Sequence, residues 1–280
     1  MKLVSKEMFA IKPRSGFKVP VEAECITCNV FSEKSQREIR SLPVWEGNKR
    51  RELGQLFEVE STKGSNENET QIRLVGDFSK VRKIGYRMTD GNIIIDGNAG
   101  SYLGEEMKGG SIVVRGDAAS WLGSTMKGGR IEIMENAGDY VAAPYRGSVE
   151  GMADGEIIIH GDAGNEAGNY MRGGLIRIEG NVSQFLGIHM RDGTILALGN
   201  SKGRVGAEMV GGKIIVCGYV PEILPTFTID ALRPSVKVTG KERAKGPFYR
   251  FLGDLADNGE GRLFVSKPSN PHLSFYEEYL

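Results

Sequence analysis

Cysteine is scarce in this 280-residue chain: Cys25, Cys28 and Cys217 are all it has. Three thiols make no disulfide framework. Cys25-x-x-Cys28 has the spacing of half a zinc or iron–sulfur site, but no second such pair completes four ligands. A redox dithiol would need a βα turn after it, and ECITCNVF reads as strand. Histidine is equally rare, and no HExxH or HxH motif joins His160, His189 and His272. No GxSxG occurs either. Net charge is absent: 36 Lys and Arg balance 36 Asp and Glu, so no global field selects nucleic acid or membrane. No run approaches the ~18 apolar residues of a membrane helix. The opening MKLVSKEMFAIKP lacks the apolar stretch of a secretory signal. The expectation is a cytoplasmic chain with no transmembrane segment and no metal, cofactor or catalytic residue of its own.

Glycine, by contrast, is abundant at 39 residues, and it falls in columns. A phrase returns seven times, opened by Met88, Met107, Met126, Met152, Met171, Met190 and Met209, at spacings of 19, 19, 26, 19, 19 and 19. Gly follows each Met by three residues, and again by nine except at Glu135. Between these corners lie β-branched runs. Ile stands five after every Met, and Ile, Val or Ala seven after, so alternate positions share one side of a strand. Further apolar columns lie eleven after Met (Ala99, Ala118, Ala137, Ala163, Val182) and four before it (Ile84, Leu103, Leu122, Ala167, Leu186, Val205). The corners leave no room for a helix of ordinary length. The pattern predicts an all-β, single-stranded parallel β-helix of about seven coils, stacked at about 4.8 Å. The right-handed form is favoured, because the apolar columns lack the six-residue beat of left-handed coils. Each buried Met or Ile contributes roughly 1.5–3 kcal/mol, and only stacking makes the core continuous.

Three segments follow: residues 1–70 as an N-terminal cap, 71–220 as the β-helix, and 221–280 as an aromatic-rich docking segment. In the cap, SQREIRSL reads as a short helix before Pro43, with Trp45 among the anchors. The seven extra residues between Met126 and Met152 form a loop around Pro144 and Gly147. After Gly218 the beat stops. PEILPTFTID and VKVTG read as strands, and Phe248, Tyr249, Phe251, Phe275 and Tyr276 mark a tail that docks on the coil or on another subunit.

Two outward columns bear on function. Six after Met stand Ile94, Val113, Glu132, Ile158, Arg177, Leu196 and Ile215. A mostly apolar stripe facing outward needs cover, either from the terminal segments or from a partner. One after Met stand Lys108, Lys127, Arg172 and Arg191, a basic ladder that suits an acidic partner or polyanion unless Glu105, Glu106 and Glu208 neutralise it. His160 falls in a mixed column that reads as solvated or partner-facing. GNAGSYLG and GNSKGRVG resemble phosphate loops but precede strands rather than a helix. Asp117 and Asp162 lack a third stacked carboxylate, because Glu135-Asn136 intervenes.

The repeated GxxMxGGxIxVxG pattern resembles the β-helical C-terminal domain of the large glutamate synthase subunit. VPVEAECI, EIRSLPVWEGN, LGQLFEV, PYRGSVEGM, GPFYRFLGDLA and NPHLSFYEEYL bring the likeness closer to the C subunit of formylmethanofuran dehydrogenase, over nearly the whole chain. That resemblance implies a structural subunit of a hetero-oligomeric archaeal oxidoreductase of methanogenesis. The complex reduces CO2 at a tungsten or molybdenum pterin fed by iron–sulfur clusters, then condenses formate with methanofuran at a dinuclear metal site. Those cofactors belong to the family's other subunits: the amidohydrolase-like, pterin-binding and iron–sulfur chains. Arg146 and the basic ladder are then candidates to meet methanofuran's acidic tail. The alternatives are the C subunit of a formyltransferase/hydrolase complex, a glutamate-synthase-type domain, or an enzyme with a β-helix groove using Asp117, Asp162 and His160.

Overall fold

The computed structural model describes residues 7–63 and 70–280. The fold is all-β with short helical pieces. The N-terminal part supplies β1 (Glu7–Pro13), β2 (Val21–Glu22), α1 (Cys28–Phe31), α2 (Gln36–Arg40), β3 (Pro43–Glu46), β4 (Lys49–Glu52), α3 (Leu53–Leu56) and β5 (Phe57–Lys63). Then come β6 (Gln71–Val75), β7 (Val81–Arg82) and β8 (Asn92–Asp96). Each further repeat gives one strand: β9 (Ser111–Val114), β10 (Lys127–Ile133), β11 (Asp154–Ile159), β12 (Arg172–Ile178), β13 (Asp192–Ala197) and β14 (Lys213–Val216). The chain ends with β15 (Thr228–Lys237), β16 (Arg243–Gly253), β17 (Gly261–Ser266) and a 3-10 segment, Pro271–Tyr279.

From β6 through β14 to β17 the neighbours are parallel and in register. Ile72, Ile93, Ile112, Ile131, Ile157, Ile176, Ile195, Ile214 and Leu263 form one line. A second line of parallel bridges joins Phe78, Ala99, Ala118, Ala137, Ala163, Val182 and Ser201. The seven repeat methionines and the isoleucines five after them are fully buried. The longer spacing after Met126 does not break register, since Ile131 still pairs with Ile157.

The glycine three after each Met has a packing reason. A Cβ on Gly110 would stand 2.6 Å from Met88 Cε, and one on Gly212 would stand 2.7 Å from Met190 Cε. Each methionine thus fills the space that a side chain in the next repeat would need. The glycines three before Met do the same for isoleucine: a Cβ on Gly104 would meet Ile131 Cδ1 at 2.4 Å.

At the N-terminal end β1 pairs parallel with β6 and antiparallel with β5. A smaller sheet, in the order β4-β3-β2-β7, lies beside the first repeat. SQREIRSL forms α2 as expected, with a capping box between Ser35 and Glu38. ECITCNVF, expected as strand, instead forms the helical turn α1. Cys28 and Phe31 are three apart and both fully buried; a strand would send them to opposite faces. PEILPTFTID and VKVTG, expected as separate strands, contribute to the single strand β15. It is an outer strand of the larger sheet, where Pro234 costs no ladder hydrogen bond.

Candidate functional site

The outward face of the ladder changes character along its length. Leu196 and Ile215 are 2% and 0% exposed, because the β15–β16 hairpin folds over them with Val236, Val238 and Phe248. Of the two expected covers, the terminal segment closes this end of the apolar stripe, so Leu196 and Ile215 are not open to a partner as expected. Ile158 is also buried, whereas Ile94 and Val113 stay half-buried. The aromatic tail turns inward too. Phe248, Tyr249 and Phe251 are at most 1% exposed and pack within the chain, a correction to their reading as partner contacts. The reason is pairing: β16 lies antiparallel against β17, which continues the ladder after β14. Tyr249 Oη donates to Glu277 Oε1 at 2.7 Å, and Lys267 Nζ donates to the same carboxylate at 2.9 Å. Burial, then the bond to Glu277, pushes the Tyr249 hydroxyl up to about 12. Tyr276 is half-buried edge-on to Phe251, while Phe275 and Trp45 are 53% and 47% exposed.

In the middle of the ladder the outward face is ionic. His160 Nε2 lies 2.9 Å from Glu132 Oε1, and Nδ1 lies 2.8 Å from Glu179 Oε2. Arg130 pairs with Glu132 and Glu156, and Arg177 with Glu179 and Glu242. The hydrogen bonds that its ring N–H groups donate to Glu132 and Glu179 hold the imidazole's pKa above its ordinary value. Its bond in turn holds both carboxylates below theirs. These groups satisfy one another, and Glu242 ties the network to the β15–β16 turn. The mixed column is thus cross-linked within the chain rather than simply solvated.

Asp117 and Asp162 also have structural work. Asp117 Oδ1 accepts from the Asn136 backbone N–H at 2.9 Å, Asn136 Oδ1 from Asp162 at 2.9 Å, and Asp162 Oδ1 from Asn181 at 2.6 Å. The line continues through Asn200 to Tyr219. Asn136, read from the sequence as an interruption, is a rung of this side-chain ladder. Reading it in advance required knowing that register survives the insertion. Asp162→Ala strips the acceptor from the Asn181 N–H and should lower the unfolding free energy by about 1–2 kcal/mol. Urea denaturation of the purified chain measures this.

Two of the four residues of the basic column are ion-paired within the chain. Lys127 meets Glu106 at 3.5 Å, Arg172 meets Glu150 at 3.5 Å, and Arg191 lies over the Tyr170 ring at 5.8 Å. Lys108 is exposed with no ion pair among the described residues. Glu208 pairs with His189, and Glu105 is fully buried, so neither serves the column. Elsewhere on the coil Tyr102, Trp121 and Tyr140 form a stack, with ring centroids 5.2 and 4.5 Å apart. The inserted loop folds back onto this stack, placing Tyr145 against Tyr102 and Arg146 over Trp121.

No family model matches the chain. It is 52% identical over 94% of its length to the C subunit of tungsten-containing formylmethanofuran dehydrogenase 2 from Methanothermobacter thermautotrophicus, taking in 97% of that relative. The chain belongs to the family of formylmethanofuran dehydrogenase C subunits. The tungsten-type C subunit of Methanococcus maripaludis is likewise 52% identical, over 91% of this chain and 95% of its own. The C subunit of molybdenum-containing formylmethanofuran dehydrogenase 1 from Methanothermobacter marburgensis matches more locally, at 45% identity over 34% of the chain. That match spans 23% of the relative's length, about a quarter. Among solved structures, the crystal structure of the formyltransferase/hydrolase complex from Methylorubrum extorquens with methylofuran contains a similar chain. The TM-score is 0.81 at 25% identity, covering 92% of this chain and 99% of that one.

Among the described residues no group of three His, Cys, Asp or Glu is placed to hold a metal ion. Cys28 is fully buried, with its thiol 3.5 Å from the Asn92 carbonyl. Burial pushes the Cys25 thiol up to about 12, the reverse of what a thiolate ligand needs.

Proposed function

We propose that this chain is a structural subunit of a formylmethanofuran dehydrogenase, the complex that reduces CO2 and condenses the formate with methanofuran. The full-length likeness to tungsten-type C subunits carries this reading and supports the tungsten form. In it, pterin, iron–sulfur and dinuclear metal chemistry belongs to partner subunits, and the complex is cytoplasmic. Among the described residues no helix is long and apolar enough to cross a membrane. The rungs are read as coils of a right-handed parallel β-helix, capped by residues 1–70 and closed by 221–280. The unbroken in-register line and the methionine-filled glycine gaps support the stacked coils, and the unequal spacing of the apolar columns favours the right hand. A stack bonded rung to rung is stiff, and stiffness suits a chain that holds others in place. The histidine and carboxylates that a catalytic groove would use, His160, Asp117 and Asp162, are each bonded within the chain, which favours scaffold over a catalytic groove. Ile94, Val113, Trp45 and Phe275 remain open as contacts, with Lys108 and Arg146 available to an acidic group.

The C subunit of a formyltransferase/hydrolase complex is the second reading, supported by the structural likeness and weakened by its lower identity. Co-expression with the other dehydrogenase subunits tests the first. The chain should enter one assembly of defined mass, and Asp117→Asn and His160→Gln should leave that assembly's turnover within about twofold. A chain that stays alone in the presence of those subunits overturns the reading.

A further inference from the structure

The smaller sheet carries a feature that the scaffold role does not use. Its outer face, with Tyr86 as one wall, bounds a cavity of about 390 Å3. Glu22, Glu24, Cys25, Pro43, Trp45 and Tyr86 line it. Trp45 and Glu22 are cross-strand partners in the antiparallel β2–β3 pair, so indole and carboxylate stand side by side on one face. Gly47, with φ of 58°, makes the tight turn from β3 to β4, and its N–H bonds the Pro20 carbonyl just before β2 at 2.9 Å. Val44, next to Trp45, is 1% exposed and anchors the strand, whereas Trp45 is 47% exposed.

The lining has one chemical character. It offers two carboxylates, two aromatic rings and a proline, and no lysine or arginine. The neighbouring residues already show what such rings accept here. Lys83 Nζ bonds Glu24 at 2.6 Å and lies 5.8 Å from the Tyr86 centroid, and the Arg87 guanidinium lies 4.8 Å from the same ring. Glu22 makes no hydrogen bond or ion pair among the described residues. A third carboxyl, Glu105, is fully buried, with neither oxygen hydrogen-bonded, and interacts electrostatically with Lys83 and Glu24. An anion would find no cationic donor in this cavity. A cation would find the Glu22 carboxylate, which feels the Lys83 charge but is bonded to no group among the described residues, beside an open indole face.

We propose that this cavity receives an arginine side chain presented by another subunit of the assembly, stacked on Trp45 and paired with Glu22. A guanidinium fits better than an ammonium, because its plane lies flat on an indole while its edge meets a carboxylate with two parallel bonds. Buried tryptophan and arginine are also the side chains that dominate interface energies. The inference rests on the subunit reading above and adds the site and its chemistry.

The test uses the whole assembly. The chain has two tryptophans, so Trp121→Phe leaves Trp45 as its only tryptophan, excited selectively at the red edge of its absorption. On joining the other subunits, Trp45 emission should move to the blue relative to the sum of the separate components. Against the same subunits, Glu22→Lys should bind about 100-fold more weakly and Trp45→Ala at least about 30-fold more weakly. Glu222→Lys makes the same charge change at the exposed Glu222, on the far end of the ladder, and should bind like the parent. Melting temperatures within a few degrees of the parent establish that the variants fold. If the parent itself does not assemble, the subunit reading falls. If the parent assembles but Glu22→Lys binds as tightly, the arginine site falls, whether or not Trp45 emission shifts. A shift without a charge effect means an apolar contact only.

Discussion

Gly97→Ala is expected to lower the unfolding free energy by about 3–5 kcal/mol, enough to melt a marginal chain. Gly97 sits at φ 149°, and a Cβ there would stand 2.1 Å from the Gly76 carbonyl oxygen. The obstacle is backbone of the preceding rung, not the end of a flexible side chain. Moving it would break the register that Ile72 shares with Ile93 and Leu74 with Ile95. Two other glycines separate the contributions. Gly147 has φ 85° with nothing within 4 Å of an added Cβ, so Gly147→Ala should cost only about 1 kcal/mol of backbone strain. Gly16 has open space and no positive φ, so Gly16→Ala should be near neutral. Denaturant midpoints for the three variants should fall in that order. Equal losses at Gly97 and Gly147 would mean that rung-to-rung contact is not what excludes the side chain.

The same closeness of rungs explains what could be read from the chain alone. The methionine and isoleucine columns were legible because identical residues repeat on a fixed period and all point inward. Their in-register pairing then follows without long-range information. The outward side was harder. His160, Glu132 and Glu179 belong to three different repeats, two of them separated by the insertion. Their contact emerges only once Ile131 is known to face Ile157. Cover for Leu196 and Ile215 was legible as a need but not as a solution. It depends on β17 joining the ladder beside β14, which brings Leu263 onto Ile214 across a long excursion of chain. Nothing periodic announces that pairing. The helical turn at Cys28–Phe31 was missed because a short apolar run carries no period of its own, and tertiary burial of both side chains decided it. Trp45, expected to anchor the cap, is 47% exposed, while Phe248, Tyr249 and Phe251 are buried, because hydrophobicity alone does not distinguish a side chain that docks at home from one that docks elsewhere.

Glu105→Gln is expected to make the chain about 2–3 kcal/mol more stable near pH 8 and to leave it unchanged near pH 4. Glu105 is fully buried, with both carboxylate oxygens lacking a hydrogen bond. Burial raises its pKa from 4.5 to about 7; Glu106 and Glu24 push in the same direction, Lys83 and Arg87 against it. Below pH 4.5 the group is protonated in the folded and unfolded chain alike, so it adds no pH dependence. Between 4.5 and about 7 the unfolded chain gives up this proton while the folded chain keeps it. Unfolding then releases a proton, and stability falls as pH rises. Above about 7 both states are ionised and the loss is complete. Glutamine has the same shape and no proton to lose, so the variant should lack this decline. His160, whose raised pKa also costs stability as pH rises, titrates identically in both proteins and cancels in their difference. Urea unfolding of parent and variant at half-unit steps from about pH 4 to pH 8 gives that difference directly. Two curves that run parallel throughout would mean that Glu105 is ionised in the folded chain and finds a partner there.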